Sequence, residues 1–263
     1  MRQSLPSARH GIEVIELLSR GGNMHQQRSY RNEIKDGDLV SFTVIVKETD
    51  LYIRAVRDLR REAQAAIHEV RSSLEEYIRE HPLFLHSLEP VAVEGGAAEI
   101  VRVMAEAARL ANVGPMAAVA GAVAELVGRK LLAFSPEVIV ENGGDIFLKV
   151  NSKRHIGIYA GGSTFTGKLA IEVEPGQTPL GVCTSSGTVG PSLSLGLADA
   201  AIILSSSAAL ADAAATAVGN VVKSEQDIDA AIELGKQIKG VSGIVVITGG
   251  SMGAWGDIKL VKT

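Results

Sequence analysis

Between Gly114 and Gly128 the chain reads GPMAAVAGAVAELVG, apolar almost all round and built largely from small side chains. A helix without a polar face belongs inside a protein, and side chains this small let neighbouring backbones come close. Pro115 suits the first turn, where the missing N–H costs nothing. The stretch from Val113 to Val127 has Pro115 near one end and Glu125 near the other, and it falls short of the about 18 apolar residues of a membrane span. The expectation is a buried central helix over Pro115 to Leu131.

Strand and helix patterns group on both sides of it. Tyr30 to Ile53 alternates as a hairpin or meander, with turns at Lys35-Asp36-Gly37-Asp38 and Glu48-Thr49-Asp50. From Val56, apolar residues recur at helical spacing until His81-Pro82 ends the run. Arg54, Arg57, Arg60 and Arg61, interleaved with Asp58 and Glu62, read as a solvated face at its start. Another helix is expected over Gly96 to Ala111. After Pro136 come short β runs at 138–140, 146–150, 156–159, 169–173, 181–182 and 200–204. Helices over Ala208 to Val222 and Asp227 to Lys239 follow, then strands at 244–248 and 258–261. Clusters without strict βαβ alternation predict an α+β fold, with antiparallel sheets packed with helices around the central one. One domain over residues 1–263 is expected, with a seam between two lobes near Gly95-Gly96.

Charge and composition exclude several function classes. Lys and Arg number 26 against 30 Asp and Glu, a net charge of −4, so no global positive field holds nucleic acid or an anionic membrane. Aromatics are only 4% of the residues, too few for a stacking groove on single strands. One Cys allows neither an intrachain disulfide nor a Cys-rich zinc site, and a cytoplasmic location fits best. The opening residues are broken by Pro6, Arg9, His10, Glu13 and Glu16, unlike a secretory signal. The six His include no H-x-x-x-H pair, so a zinc enzyme is not expected.

Four segments carry chemistry or its imitation. Gly162 to Lys168 matches G-x-x-x-x-G-K, but Leu169 follows where Ser or Thr would hold magnesium, and the next residues alternate like a strand, so a hairpin turn is expected. Glu141-Asn142-Gly143-Gly144-Asp145 lies between two strand runs. Its glycines and carboxylate can cradle a phosphate or ribose, or serve as a plain hairpin turn. Cys183-Thr184-Ser185-Ser186-Gly187-Thr188 resembles an anion-binding loop; with Cys183 two residues before Ser185 it is no nucleophile elbow, and Cys183 reads as a buried small hydrophobe. In Ala211-Asp212-Ala213-Ala214-Ala215-Thr216, helical spacing puts Asp212 and Thr216 on one face about 6 Å apart along the axis. With phosphate oxygens and water the two suit Mg²⁺; as bland helix residues they bond each other or face solvent.

Taken in order, VGPMAAVAGA, VENGGD, TSSGTVGPS and ADAAAT followed by Gly219-Asn220 resemble the ApbE-like superfamily of flavin transferases, and most of all its uncharacterised sister branch. The likeness runs from about Tyr30 to the C-terminus. It implies the ApbE-like fold, FAD or another nucleotide as ligand, Mg²⁺ at the pyrophosphate, and transfer of FMN to a Thr or Ser of an acceptor protein with release of AMP, or hydrolysis of FAD. Carried over by position, Asp212 and Thr216 match the metal-binding pair. Asn142, Gly143, Gly144 and Asp145 fall in the GGD turn, and Thr184, Ser185, Ser186 and Gly187 in the TSG loop, both on the cofactor. Two departures stand out: Ala120-Gly121 replaces the transferases' Lys-Gly, removing a cationic ligand contact, and Thr188-Val189 replaces the aromatic after the loop. The resemblance therefore implies either a Mg²⁺-dependent enzyme cleaving a nucleotide pyrophosphate or a non-catalytic binding protein for a flavin, nucleotide or other phosphorylated metabolite. A scaffold of Ala-rich helices leaves the polar clusters unexplained.

Overall fold

The computed structural model describes residues 38–187 and 196–263. The readings of the first twenty residues, of the turn at Lys35 to Gly37 and of Thr188-Val189 lie outside the described residues. Inward Phe42, Val44 and Val46 alternate with outward Ser41, Thr43 and Ile45 to form β1 (Val40–Val46), antiparallel to β2 (Thr49–Ala55). Burying Leu51 and Ile53 opposite Val44 and Phe42 fixes the register, which leaves the turn to Lys47-Glu48 and puts Thr49 and Asp50 in the strand. Helix α1 (Arg60–Glu80) buries Ala63, Ala66, Ile67, Val70 and Leu74 on one stripe. Arg54 belongs to β2 and not to the solvated face expected for it: it is 4% exposed and lies 5.4 Å from the Tyr52 ring.

After the short α2 (Leu83–His86) and α3 (Glu99–Ala111), the central segment runs as a 3₁₀ turn over Pro115–Ala118 that passes into α4 (Val119–Leu131). All residues of α4 from Gly121 to Gly128 are buried, as its composition predicts. Gly95 and Gly96 lie in the turn before α3, and α1 and α3 on either side of it contribute to one core. Among the described residues no single helix is long and apolar enough to cross a membrane.

Next come β3 (Val138–Asn142), β4 (Asp145–Lys149), β5 (Arg154–Gly157), β6 (Leu169–Val173), β7 (Leu180–Ser185) and β8 (Ala200–Ser205). The chain closes with α5 (Ala208–Val221), α6 (Ile228–Gln237), β9 (Val241–Thr248), β10 (Ser251–Gly256) and β11 (Lys259–Lys262). An eight-stranded sheet has the order β1-β2-β3-β4-β7-β8-β9-β10 and a three-stranded sheet the order β11-β6-β5, every pair antiparallel. One face of the large sheet packs on the helices through residues such as Ile53, Phe147 and Ile203. On the other face Leu148, Val182, Ile202 and Val245 meet Ile158, Ile171 and Val173 from the small-sheet side. The fold is thus α+β, as expected. Residues 162–168 join β5 to β6, with the Gly167 N–H on the Ile158 carbonyl at 3.0 Å; no helix follows, so this segment is the hairpin connection that its sequence implied.

The first turn of α5 is wedged between β7 and α4. A Cβ on Gly181 would lie 2.4 Å from the Ala208 Cα, and one on Gly121 would lie 2.2 Å from the Ala208 carbonyl oxygen. Glycine at these two positions is what lets the helix approach. This wedge positions the candidate site residues.

Candidate functional site

Asn142 and Asp145 pair with each other across the two-residue turn between β3 and β4, where Gly143 and Gly144 take φ of 69° and 113°, the left-handed region that glycine tolerates. Strand alternation then turns Asn142 and Asp145 toward the helices, together with Val140 and Phe147. Asp145, 8% exposed, accepts the Thr184 N–H at 3.3 Å. The buried Cys183 thiol interacts with that carboxylate and lies 3.3 Å from the Ala208 carbonyl. From α5, half-buried Asp212 reaches the start of α4, where its Oδ2 accepts the Gly121 N–H at 2.8 Å and the Ala120 N–H adds to its hold. Asn142 grips the same turn from the sheet, its Nδ2 donating to the Ala120 carbonyl at 3.1 Å.

The three motif sets thus meet through named contacts, but their side chains do not all point one way. Within β7, Thr184 pairs with Ile202, which faces the small sheet, and Ser185 pairs with Ala201, which faces the helices. A Cβ built on Gly219 of α5 would lie 3.4 Å from the Ser185 hydroxyl. Thr184 therefore offers its backbone to Asp145 while its hydroxyl points to the other side of the sheet. Ser186 and Gly187 continue past the strand end, and the Gly187 N–H bonds the Ala198 carbonyl at 2.9 Å. Thr216 lies one turn beyond Asp212, half-buried, its hydroxyl making no hydrogen bond to another described residue. The bland alternative of a bond between Asp212 and Thr216 is not what forms; Asp212 bonds α4 instead.

The electrostatics are those of crowded carboxylates. Burial pushes Asp145 up to about 7, the charge of Glu141 adds to the rise, and the Thr184 N–H and Cys183 thiol oppose it. Burial, then the charge of Asp145, raises Asp212 well above the usual carboxylate range, against the pull of the Gly121 and Ala120 N–H groups. Burial and the two aspartates raise the Cys183 thiol, which keeps it protonated and poorly nucleophilic. Unfolded, Asp145 ionises near 3.8, whereas folded it keeps its proton to about 7. Between these values the folded form binds more protons, so its stability falls as the pH rises through that window. In chelator-treated protein, the unfolding free energy from denaturant titration should fall between pH 5 and pH 8, by on the order of 2 kcal/mol. Asp145→Asn should flatten that slope; an unchanged slope would show that the carboxylate is not confined as described.

Sequence reasoning left out of the site the third carboxylate in this field, Glu141, although it opens the ENGGD run, and it missed that Ala120 and Gly121 act through their backbone. It also missed Glu125, 1% exposed, whose Oε2 accepts the Ser207 hydroxyl at 2.9 Å and the Ala209 N–H at 3.2 Å. Glu125 caps α5 from α4, as Asp212 caps α4 from α5. Cavities of about 570 and 300 Å³ flank α3, and neither is lined by a motif residue. Among the described residues no group of three or more His, Cys, Asp or Glu is placed to hold a metal.

This architecture is that of the flavin transferases. The chain superposes on the flavinyl transferase ApbE of Pseudomonas stutzeri in its apo form with a TM-score of 0.51 and 13% identity, over 83% of this chain and 94% of that one. Against the flavin transferase ApbE from Vibrio cholerae the TM-score is 0.56, again at 13% identity, over 83% and 96%. At such identities the likeness is one of fold. A UPF0280 protein of Methanocaldococcus jannaschii is 44% identical over 227 residues, covering 84% of this chain and 92% of the relative. One from Methanosarcina acetivorans is 43% identical over 198 residues, covering 74% and 78%. Residues 31–254 match the family model described as AbpE bacteria, and the chain belongs to that ApbE-like family.

Proposed function

We propose that the chain binds FAD, or another nucleotide with a pyrophosphate, together with Mg²⁺ at the crossing of α4 and α5, and that it cleaves the pyrophosphate. The observation that carries this reading is that Asp145, anchored on the Thr184 N–H, and Asp212, anchored on the Gly121 N–H, bring carboxylates from a hairpin and a helix close enough for the charge of Asp145 to act on Asp212. The donors suit Mg²⁺, which takes one or two carboxylates and completes its shell with water and substrate phosphates. Asp212 and Thr216 would hold the ion, with Asp145 adding its charge. The Gly143-Gly144 turn would present N–H groups to phosphate oxygens, and the Thr184 to Gly187 loop, whose Thr184 and Gly187 N–H groups are engaged by Asp145 and Ala198, would line the nucleotide beside it. Bound Mg²⁺ would neutralise the charge that develops on the bridging oxygen as the bond breaks. AMP would leave, and the FMN phosphorus would pass to a Thr or Ser hydroxyl of an acceptor protein or to water. A cytoplasmic setting agrees with the single buried thiol.

A second reading, a binding protein that holds the nucleotide intact, draws on Ala120: the cationic contact implied for the transferases is missing there. Incubation of the purified protein with FAD and Mg²⁺, followed by separation of the nucleotides, decides between them. The enzyme reading expects AMP together with FMN or a flavin-labelled acceptor. Retained, uncleaved FAD supports the binding reading, and failure to bind or cleave FAD, ADP or ATP sinks both.

A further inference from the structure

We infer that Asn142 is a positioning residue, which sets the aim of the Asp212 carboxylate by holding the Ala120–Gly121 peptide between the sheet and α5. The inference rests on the proposed Mg²⁺ site, but its geometry stands apart from any ligand. Ala120 and Gly121 are linked by one peptide group, whose carbonyl belongs to Ala120 and whose N–H belongs to Gly121. The Asn142 amide donates to that carbonyl at 3.1 Å, and Asp212 Oδ2 accepts from that N–H at 2.8 Å. A peptide group is planar, so fixing its oxygen fixes the direction of its N–H. Asn142 thus acts on Asp212 across one rigid plate, with no contact of its own to the carboxylate.

The residues around this plate leave little other freedom. Gly121 cannot draw away from α5 without opening the contact with Ala208, and Asn142 is tied to Asp145 by the register of the hairpin. The Gly121 N–H holds Oδ2 and the Ala120 N–H adds to the hold, so the direction of the carboxylate toward a cation is set by this turn of backbone. An outer partner that fixes the orientation of a ligating carboxylate typically contributes about 10-fold to 100-fold in metal affinity. This role differs from the cofactor contact that the motif alone implies for Asn142, because its amide is already engaged by the protein.

The test uses Asn142→Ala and the closely sized Asn142→Leu, both of which remove the donor. Two readouts are taken on the full chain: the exchange rate of the Gly121 amide hydrogen by NMR, and the affinity for Mg²⁺ alone by calorimetric titration. Positioning predicts that in both variants the Gly121 amide exchanges about 10-fold faster and Mg²⁺ binds about 10-fold more weakly. A merely structural role in the hairpin would lower the melting temperature and leave both readouts of the folded protein unchanged, which overturns the inference. A direct contact to nucleotide would weaken FAD binding alone, which overturns it as well. If the wild type binds no Mg²⁺, the proposed metal site fails; the Gly121 exchange rate still decides whether Asn142 holds the plate.

Discussion

Replacing Asp212 by Asn is expected to abolish Mg²⁺ binding, with and without nucleotide, while the protein keeps its fold and becomes more stable above pH 7. The amide oxygen of Asn can still accept the Gly121 N–H, so the cap on α4 survives. What disappears is the charge, and with it the cost of burying Asp212 ionised beside Asp145. Asp212→Ala removes the charge and the cap together, and loss of a cap costs about 1 kcal/mol. The two variants should therefore agree in binding and differ in stability. Thr216→Val, nearly isosteric, should weaken the ion with little effect on fold, because its hydroxyl donates to no described partner. Calorimetric titration of Mg²⁺ with and without FAD or ADP reads these differences. Retention of nucleotide-dependent Mg²⁺ binding in Asp212→Asn would make Asp212 a helix cap and nothing more.

Gly121→Ala should cause a large loss of stability for the addition of a single methyl group. Its Cβ would meet the Ala208 carbonyl oxygen at 2.2 Å and the Asp212 Cβ at 2.8 Å, and the first of these is backbone in the opening turn of α5. Relief requires the two helices to separate, which also breaks the bond from Gly121 to Asp212. Overpacking of this kind costs about 1–3 kcal/mol, to which the lost charge-assisted hydrogen bond adds about 1.5 kcal/mol or more. Gly157→Ala, with nothing within 4 Å of the added methyl, is the neutral control. Denaturant titration of the three proteins gives the comparison. A stable Gly121→Ala protein that binds Mg²⁺ normally would show that the crossing of α4 and α5 is looser than described.

The elements were legible where side-chain periodicity is strong. α1 shows its stripe of Ala63, Ile67, Val70 and Leu74, and the central run could only be buried. β10 was not legible: SMGAWG carries two glycines and no clean alternation, and it becomes a strand only because the Gly249-Gly250 turn lays it along β9. The course of the large sheet was hidden as well, since β5 and β6 leave it for the second sheet between two neighbours, β4 and β7. At the site, the residue types of ENGGD, TSSG and ADAAAT pointed to polar chemistry. Their partners did not, because Ala120 and Gly121 act through backbone atoms that every residue has, and Glu125 resembles any helix-surface Glu until its neighbours are known. The direction of Thr184 follows from the strand register, which no single motif contains.

The two helices that cap each other also order the events of folding. Helix α5 carries Ser207 at its own N-terminus, where the hydroxyl accepts the Leu210 N–H at 3.3 Å, so its first turn can close locally. Helix α4 has no side-chain cap of its own; Asp212 serves it from 91 residues down the chain, and Glu125 returns the contact across 84. Contacts of such sequence separation form late, after the loop-closure entropy has been met. The opening turn of the central helix therefore sets only when α5 docks, in the step that first brings Asp212 to the peptide it holds. The crossing of α4 and α5 is thus expected to close as one late step, and a nascent chain that stops short of residue 212 lacks the carboxylate that caps α4.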